Sequence, residues 1–192
     1  MLAIRGGRIL TVTGGIIDNG VVLIEGGKIA DVGKKVTIPK NTEVVDATGK
    51  VVMPGLVEAH CHVGIIEENA GAAGSDGNES TDPVTPHLRA IDAIKANAEE
   101  KGLLAALETG ITTVQILPGS ANVIGGTGVV VKTAPKTTVD EMIVREPSGL
   151  KVAFGENPRR VYGEGLKKMP ATRMGVAAVL RALEDMGLTG CQ

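Results

Sequence analysis

The sequence predicts a mixed α/β chain, with a small β layer first and strands alternating with helices after it. Three observations carry this. Short β-rich segments broken by paired glycines fill the first fifty residues. The pattern changes at Met53-Pro54-Gly55, and from there apolar strand-like runs alternate with helical ones. The chain has 192 residues, 43% hydrophobic and 22% charged, with a formal net charge of -2, a balance that builds a core and excludes general disorder.

In the first part, residues 3–4, 8–13, 20–25, 28–32 and 43–46 read as strands. Gly26-Gly27 between two apolar runs signals a hairpin. The stretch reads as a small antiparallel sheet, too short to bury a sound core alone. In the second part, residues 55–60 read as a strand and 97–109 as a helix. Leu103, Leu104 and Leu107 stand at helical spacing, and Gly110 closes the helix. Strands follow at 111–117, 128–132 and 150–154, with a helix at 138–145. The last helix, 172–186, is capped by Thr172, packs Val176, Val179, Leu180 and Leu183 on one face and ends at Gly187. Such alternation implies a parallel sheet with crossover helices. The longest loop, 63–86, carries Glu67, Glu68 and Asp76. It overhangs a strand end, and its length marks it as functional or mobile.

Composition excludes several function classes. No basic run is present, which argues against a nucleic-acid partner. Phe154 and Tyr162 are the single Phe and Tyr, and Trp is absent, so the core must be aliphatic and no stacking platform is available. Cys61 and Cys191 make no disulfide framework. No signal peptide is visible and no apolar run reaches the ~18 residues of a membrane span. The expectation is a cytoplasmic chain with no membrane partner.

The sharpest chemical feature is His60-Cys61-His62 at the end of an apolar strand. Residues i and i+2 of a strand point to one face, so the two imidazoles project together and Cys61 turns away as a small buried hydrophobe. Two neutral imidazoles make half of a metal site, at about 2.0–2.1 Å per Zn–N bond. A solvated pair at a loop start is the plainer alternative. A strand's C-terminal end is where α/β proteins place their sites. The glycine-rich run 119–128 fits a tight turn and a substrate-contacting loop equally, with Ser120 and Asn122 as its polar groups. It lacks the Gly-Lys-Ser/Thr ending of a phosphate loop. Arg159, Arg160 and Tyr162 are further donors for a substrate carboxylate, with a solvated loop as the bland reading.

Residues 51–62, Val-Val-Met-Pro-Gly-Leu-Val-Glu-Ala-His-Cys-His, strongly resemble the first barrel strand of the metal-dependent amidohydrolase superfamily. The glycine-punctuated start resembles that family's N-terminal β-sandwich half, and residues 110–114, Gly-Ile-Thr-Thr-Val, its second barrel strand. The runs 119–128, 153–158 and 160–163 are similar to the imidazolonepropionase-like branch. The likeness spans residues 1 to about 187. It implies a small N-terminal β-sandwich part over 1–54, followed by roughly the first half of a (β/α)8 TIM barrel over 55–192. One or two divalent metals, zinc first, would lie at the barrel mouth. The implied activity is hydrolysis of a C–N bond in a non-peptide or small-peptide substrate by metal-activated hydroxide.

By that resemblance His60 and His62 match the first ligand pair. Lys151 and Glu156 are candidates for the next ligand, with Lys132 a third possibility. The family's remaining ligands are two later histidines, and its proton acceptor is an aspartate. This chain offers only His87, which reads as a surface or mouth residue after Thr85-Pro86. No catalytic residue is assigned within the chain. Residues 55–192 fall short of the ~250 of a complete barrel and hold about four of its eight units. The implied partners are a small-molecule substrate and either a second copy or a complementary C-terminal half chain. The alternatives are a non-catalytic half-barrel that self-associates, and a nucleotide-binding domain built on 119–128.

Overall fold

Gly26 and Gly27 adopt φ of 56° and 76°, left-handed values that favour glycine, and turn the chain between β2 (Ile16–Glu25) and β3 (Lys28–Gly33). The computed structural model describes residues 1–67, 70–95 and 100–185. They divide into two compact units, Met1–Gly55 and a second beginning at Leu56. In the first unit the strand order is β3-β2-β1-β4, where β1 is Leu2–Leu10 and β4 is Glu43–Asp46. A short β5, Val51–Val52, also pairs with β1. Ala3, Ile9, Val22, Leu23 and Ala47 are buried.

This sheet corrects the antiparallel expectation. β4 and β5 pair with β1 in parallel, because the chain crosses back after β3 instead of turning tightly. The segments read at 3–4 and 8–13 join into one strand that ends at Leu10, short of residues 11–13, and carries register shifts around Gly7 where the sequence suggested a break.

The second unit holds a four-stranded sheet in the order β6-β7-β8-β9. These are Leu56–Cys61, Ile111–Ile116, Ile124–Lys132 and Ile143–Val152. Only β6 and β7 are parallel neighbours; β8 is antiparallel to both β7 and β9. The expected parallel sheet is therefore a mixed one, and by itself it does not make half of an all-parallel barrel. The direction of β9 nonetheless matches β6 and β7. The C-terminal ends of β6, β7 and β9 and the start of β8 thus share one edge of the sheet.

The difference has local causes. Residues 138–145 carry a helix-start signal, and Glu141 Oε2 does accept from the backbone N–H groups of Thr137 and Thr138 at 3.1 and 3.0 Å. Only one short turn follows, Asp140–Met142, before β-branched Ile143 and Val144 open β9. Pro147, which lacks the N–H a helix needs, completes the bias. The strand expected at 128–132 starts earlier, at Ile124. Gly125, Gly126 and Gly128 therefore lie in a strand, and the run 119–128 is not a single phosphate-cradling turn.

Two helices flank the sheet. α1 (Lys101–Glu108) buries Leu103 fully, while Leu104 and Leu107 are half-buried. Residues 97–99 of the expected helix lie outside the described residues, as do Glu68, Gly187 and Cys191. After the four-residue α2 (Glu156–Arg159) and a wider turn over Arg160–Gly165, α3 spans Arg173–Asp185. Thr172 Oγ1 accepts the Gly175 N–H at 3.1 Å, the cap that its sequence position predicts. Val176, Val179 and Leu183 are buried against Val123 and Ile124, with Leu180 packed beside them. A second cluster joins Val114, Ile116, Val129 and Val131 of the sheet to Ile65, Ile91, Leu103 and Met142. Among the described residues no helix is long and apolar enough to cross a membrane.

The loop expected to overhang the strand ends is tied down. Thr85 N–H donates to Ile124 O at 2.8 Å, Ile124 N–H to Pro83 O at 3.1 Å and Thr127 N–H to Leu88 O at 2.8 Å. Residues 83–88 thereby take the backbone edge of early β8 that β7 leaves free, which satisfies groups that would otherwise be unpaired.

Candidate metal centre

β6 delivers His60 and His62 to the shared edge. Their ring centroids lie 5.4 Å apart at an interplanar angle of 89°. His62 Nδ1 is 2.7 Å from Leu117 O. A carbonyl only accepts, so Nδ1 carries a proton, and in the neutral ring the lone pair is on Nε2. His60 Nε2 lies 3.1 Å from Lys151 Nζ, a donor, which makes Nε2 the unprotonated nitrogen of this ring too. The Lys151 cation, then burial, then His62 hold the His60 pKa below its ordinary value, against a weaker pull from Glu58. His60 is therefore neutral at neutral pH, the state a ligand needs. Burial also pushes the Lys151 pKa down.

His60 and Lys151 meet although β7 and β8 stand between their strands. A Cβ at Gly125 would make only ordinary contact with Lys151 Cγ, at 3.5 Å, but one at Gly128 would lie 2.9 Å from Ser148 Oγ. Bare backbone at Gly128 leaves room for side chains of the flanking strands to meet over β8: Gln115 Nε2 donates to Ser148 Oγ at 3.0 Å. The glycine-rich run thus shapes the sheet face beneath the candidate centre.

The other proposed ligands are placed differently. Glu156 is exposed at the start of α2 and is not brought to the histidine pair. Lys132 lies at the far end of β8, donating to Thr113 Oγ1 at 2.9 Å. His87 is exposed. Among the described residues no third His, Cys, Asp or Glu joins His60 and His62 at metal-binding reach. Glu58 Oε1 accepts the His60 backbone N–H at 2.9 Å. Cys61 turns to the opposite face, its Sγ 3.5 Å from Gln115 O, and burial pushes its thiol pKa up, the opposite of nucleophilic activation. The donor set fits a divalent metal in part: two imidazole nitrogens on one edge, that of His62 with its tautomer fixed by a carbonyl and that of His60 held by the Lys151 amine beside it.

The four residues expected to contact substrate fall into two groups. Asn122 and Tyr162 are in the interior, 2% and 0% exposed. Asn122 Nδ2 donates to Glu79 O at 2.6 Å and Thr85 Oγ1 at 2.7 Å, and Tyr162 Oη lies 2.7 Å from Asp82 O and 3.0 Å from Asn122 Oδ1. They pin the 79–85 strap. Ser120 and Arg160 remain at the surface end, linked by Asn157, which the sequence reading quoted within a run without assigning it a role.

Burial, then the nearby Asp82 and Glu79, push the Tyr162 pKa from 10.0 up to about 12. The unfolded chain loses this proton near pH 10 and the folded chain does not. Stability from this group is whole below pH 10 and falls as pH rises toward 12. Thermal melts over this range should show Tyr162→Phe losing less stability than the native chain on alkalinisation. Parallel decline of both proteins would contradict it.

No protein-family model matches the chain. A crystal structure of an amidohydrolase from Thermotoga maritima MSB8 is 45% identical, with a TM-score of 0.90 over 97% of this chain and 47% of its own. The chain belongs to the amidohydrolase superfamily. A curated amidohydrolase of Hapsidospora irregularis, tasK, is 33% identical over 81% of this chain and 17% of its own length. The dihydroorotase of Geobacter metallireducens is 26% identical over 98% of this chain and 44% of its own. This amidohydrolase chain therefore spans less than half the length of these relatives.

Proposed function

We propose that the chain supplies the metal-holding N-terminal half of a hydrolase that cleaves a C–N bond in a small-molecule amide. The observation that carries this reading is the pair of unprotonated Nε2 atoms of His60 and His62 at the sheet edge where three strands end. A divalent metal, zinc first, supplies Lewis acidity and a water of lowered pKa when bound. The chain's own residues hold and tune it. Leu117 O fixes the His62 ring, and Glu58 ties down the backbone at His60. Lys151, as a neutral amine or its carbamate, is the adjacent third donor. Among the described residues no aspartate or further histidine stands beside the pair to move the substrate's protons, and the reading assigns that role to residues outside them.

Fusing the chain to the remaining segment of the Thermotoga maritima amidohydrolase tests this reading. Cyclic ureides, N-acyl amino acids and dipeptides serve as substrates. The expected results are no turnover by the chain alone, metal-dependent turnover by the fusion, and its loss in His60→Ala. Turnover that survives His60→Ala would contradict the reading.

The partner reading has its own support. β6 is an edge strand, and its Leu56 and Val57 are 51% and 66% exposed. Open apolar strand edges recruit another chain. Light scattering at low micromolar concentration should show self-association; a monodisperse monomer would contradict it.

A further inference from the structure

Three polar side chains at the shared edge form a chain that ends in unused donors. Ser120 lies on the segment after β7, just past the Leu117 carbonyl that holds His62, and Asn157 lies in α2, just past the end of β9. Asn157 Nδ2 donates to Ser120 Oγ at 2.6 Å, and Asn157 Oδ1 accepts from Arg160 at 3.3 Å. The directions are forced. A guanidinium only donates, so Oδ1 must face Arg160 and the amide nitrogen must face Ser120. Ser120 Oγ is then the acceptor, and its own proton is left over. Arg160 is exposed, spends one N–H on Asn157 and, among the described residues, has no carboxylate within 4.0 Å. What remains is a hydroxyl proton and a set of guanidinium N–H groups with no acceptor among them. The complement of a donor-only surface is an oxyanion, and a guanidinium matches a carboxylate in shape as well as charge.

We propose that Ser120, Asn157 and Arg160 form an anion-recognition subsite beside the His60–His62 pair, and that the amide this protein acts on carries a carboxylate. That the protein acts on such an amide rests on the hydrolase reading above; the subsite itself needs no metal. Ser120 and Arg160 touch the ligand. Asn157 is a positioning residue, holding the hydroxyl and the guanidinium in register. Neighbouring Arg159 is excluded from the role because its Nε is turned to Ala171 O at 3.4 Å. Asn122 and Tyr162 are excluded because their polar atoms are buried and bonded to the strap.

Isothermal titration of the full chain in excess chelator tests this, with N-acetylglycine, its methyl ester and inorganic phosphate as probes. N-acetylglycine should bind, and the ester at least ~10-fold more weakly, because it lacks the charge that strengthens each hydrogen bond. Arg160→Gln should weaken N-acetylglycine by about 10-fold and Asn157→Leu in the same direction. Arg159→Gln removes the same charge one residue away and should leave binding unchanged. No binding of N-acetylglycine, equal binding of the ester, or an equal loss in Arg159→Gln would overturn the subsite. Phosphate binding as tightly as N-acetylglycine would overturn the carboxylate assignment. The two readings fail separately: Arg160-dependent binding in chelator, with no zinc taken up by the same chain when chelator is absent, supports the subsite and rejects the hydrolase.

Discussion

Replacing His60 and His62 together with alanine should abolish the divalent-metal binding expected of the chain, a loss of more than ~100-fold in affinity. Losing a hydrogen-bond partner behind a ligand already costs about 10–100-fold, and here both imidazole ligands go. The single variants should differ in kind. His62 is oriented by the Leu117 carbonyl, so it contributes a preset donor. His60 shares its Nε2 with Lys151 and must exchange that contact for the metal. His62→Ala should therefore cost at least as much as His60→Ala. The depressed His60 pKa means that protons compete for this ring only at lower pH than they do for a free imidazole. Competitive chelator titrations of the native chain and the three variants measure all of this. Equal metal retention by the double variant would remove the site.

Tyr162→Ala destabilises the chain by about 3–5 kcal/mol, the range for deleting a buried aromatic ring. Tyr162 is fully buried and is the only aromatic side chain of the Phe, Tyr and Trp classes in the interior; Phe154 is 62% exposed. Its hydroxyl also anchors Asp82 O and Asn122 Oδ1, while Lys168 Nζ reaches Thr81 O at 2.8 Å beside the ring. Tyr162→Phe keeps the ring and loses the hydroxyl, so it should cost only about 1–2 kcal/mol. Asn122→Ala leaves Thr85 Oγ1 and the Glu79 carbonyl without their donor, for a further loss of about 1–3 kcal/mol. Urea unfolding of the three variants gives the comparison. Equal effects of Tyr162→Phe and Tyr162→Ala would show that the ring does not hold the strap.

Much of this was legible in the residues because the signals were local. The Gly26-Gly27 hairpin, the Thr172 cap and the apolar face of α3 all follow from short-range pattern. The two histidine rings do come together, 5.4 Å between centroids, although His62 lies just past the end of β6 and periodicity alone does not place it. The sheet topology was not legible. Strand direction in β8 depends on pairing between distant segments, and Thr138–Glu141 offered a sound helix start that tertiary structure used for one turn only. The roles of Asn122 and Tyr162 were hidden for the same reason. A polar residue near a site reads identically whether it faces a ligand or a strap brought in from forty residues upstream. The glycine run read equally as a tight turn and as a substrate-contacting loop; that Gly125, Gly126 and Gly128 lie within β8 appears only once that strand is paired with β9.

X-ray absorption at the zinc edge of the chain loaded with one equivalent of zinc tests most directly whether His60 and His62 are metal ligands. The expected spectrum has nitrogen scatterers at about 2.0–2.1 Å with the outer scattering of two imidazoles, lost in the double alanine variant. A shell without imidazole scattering, or one unchanged in that variant, would contradict the account.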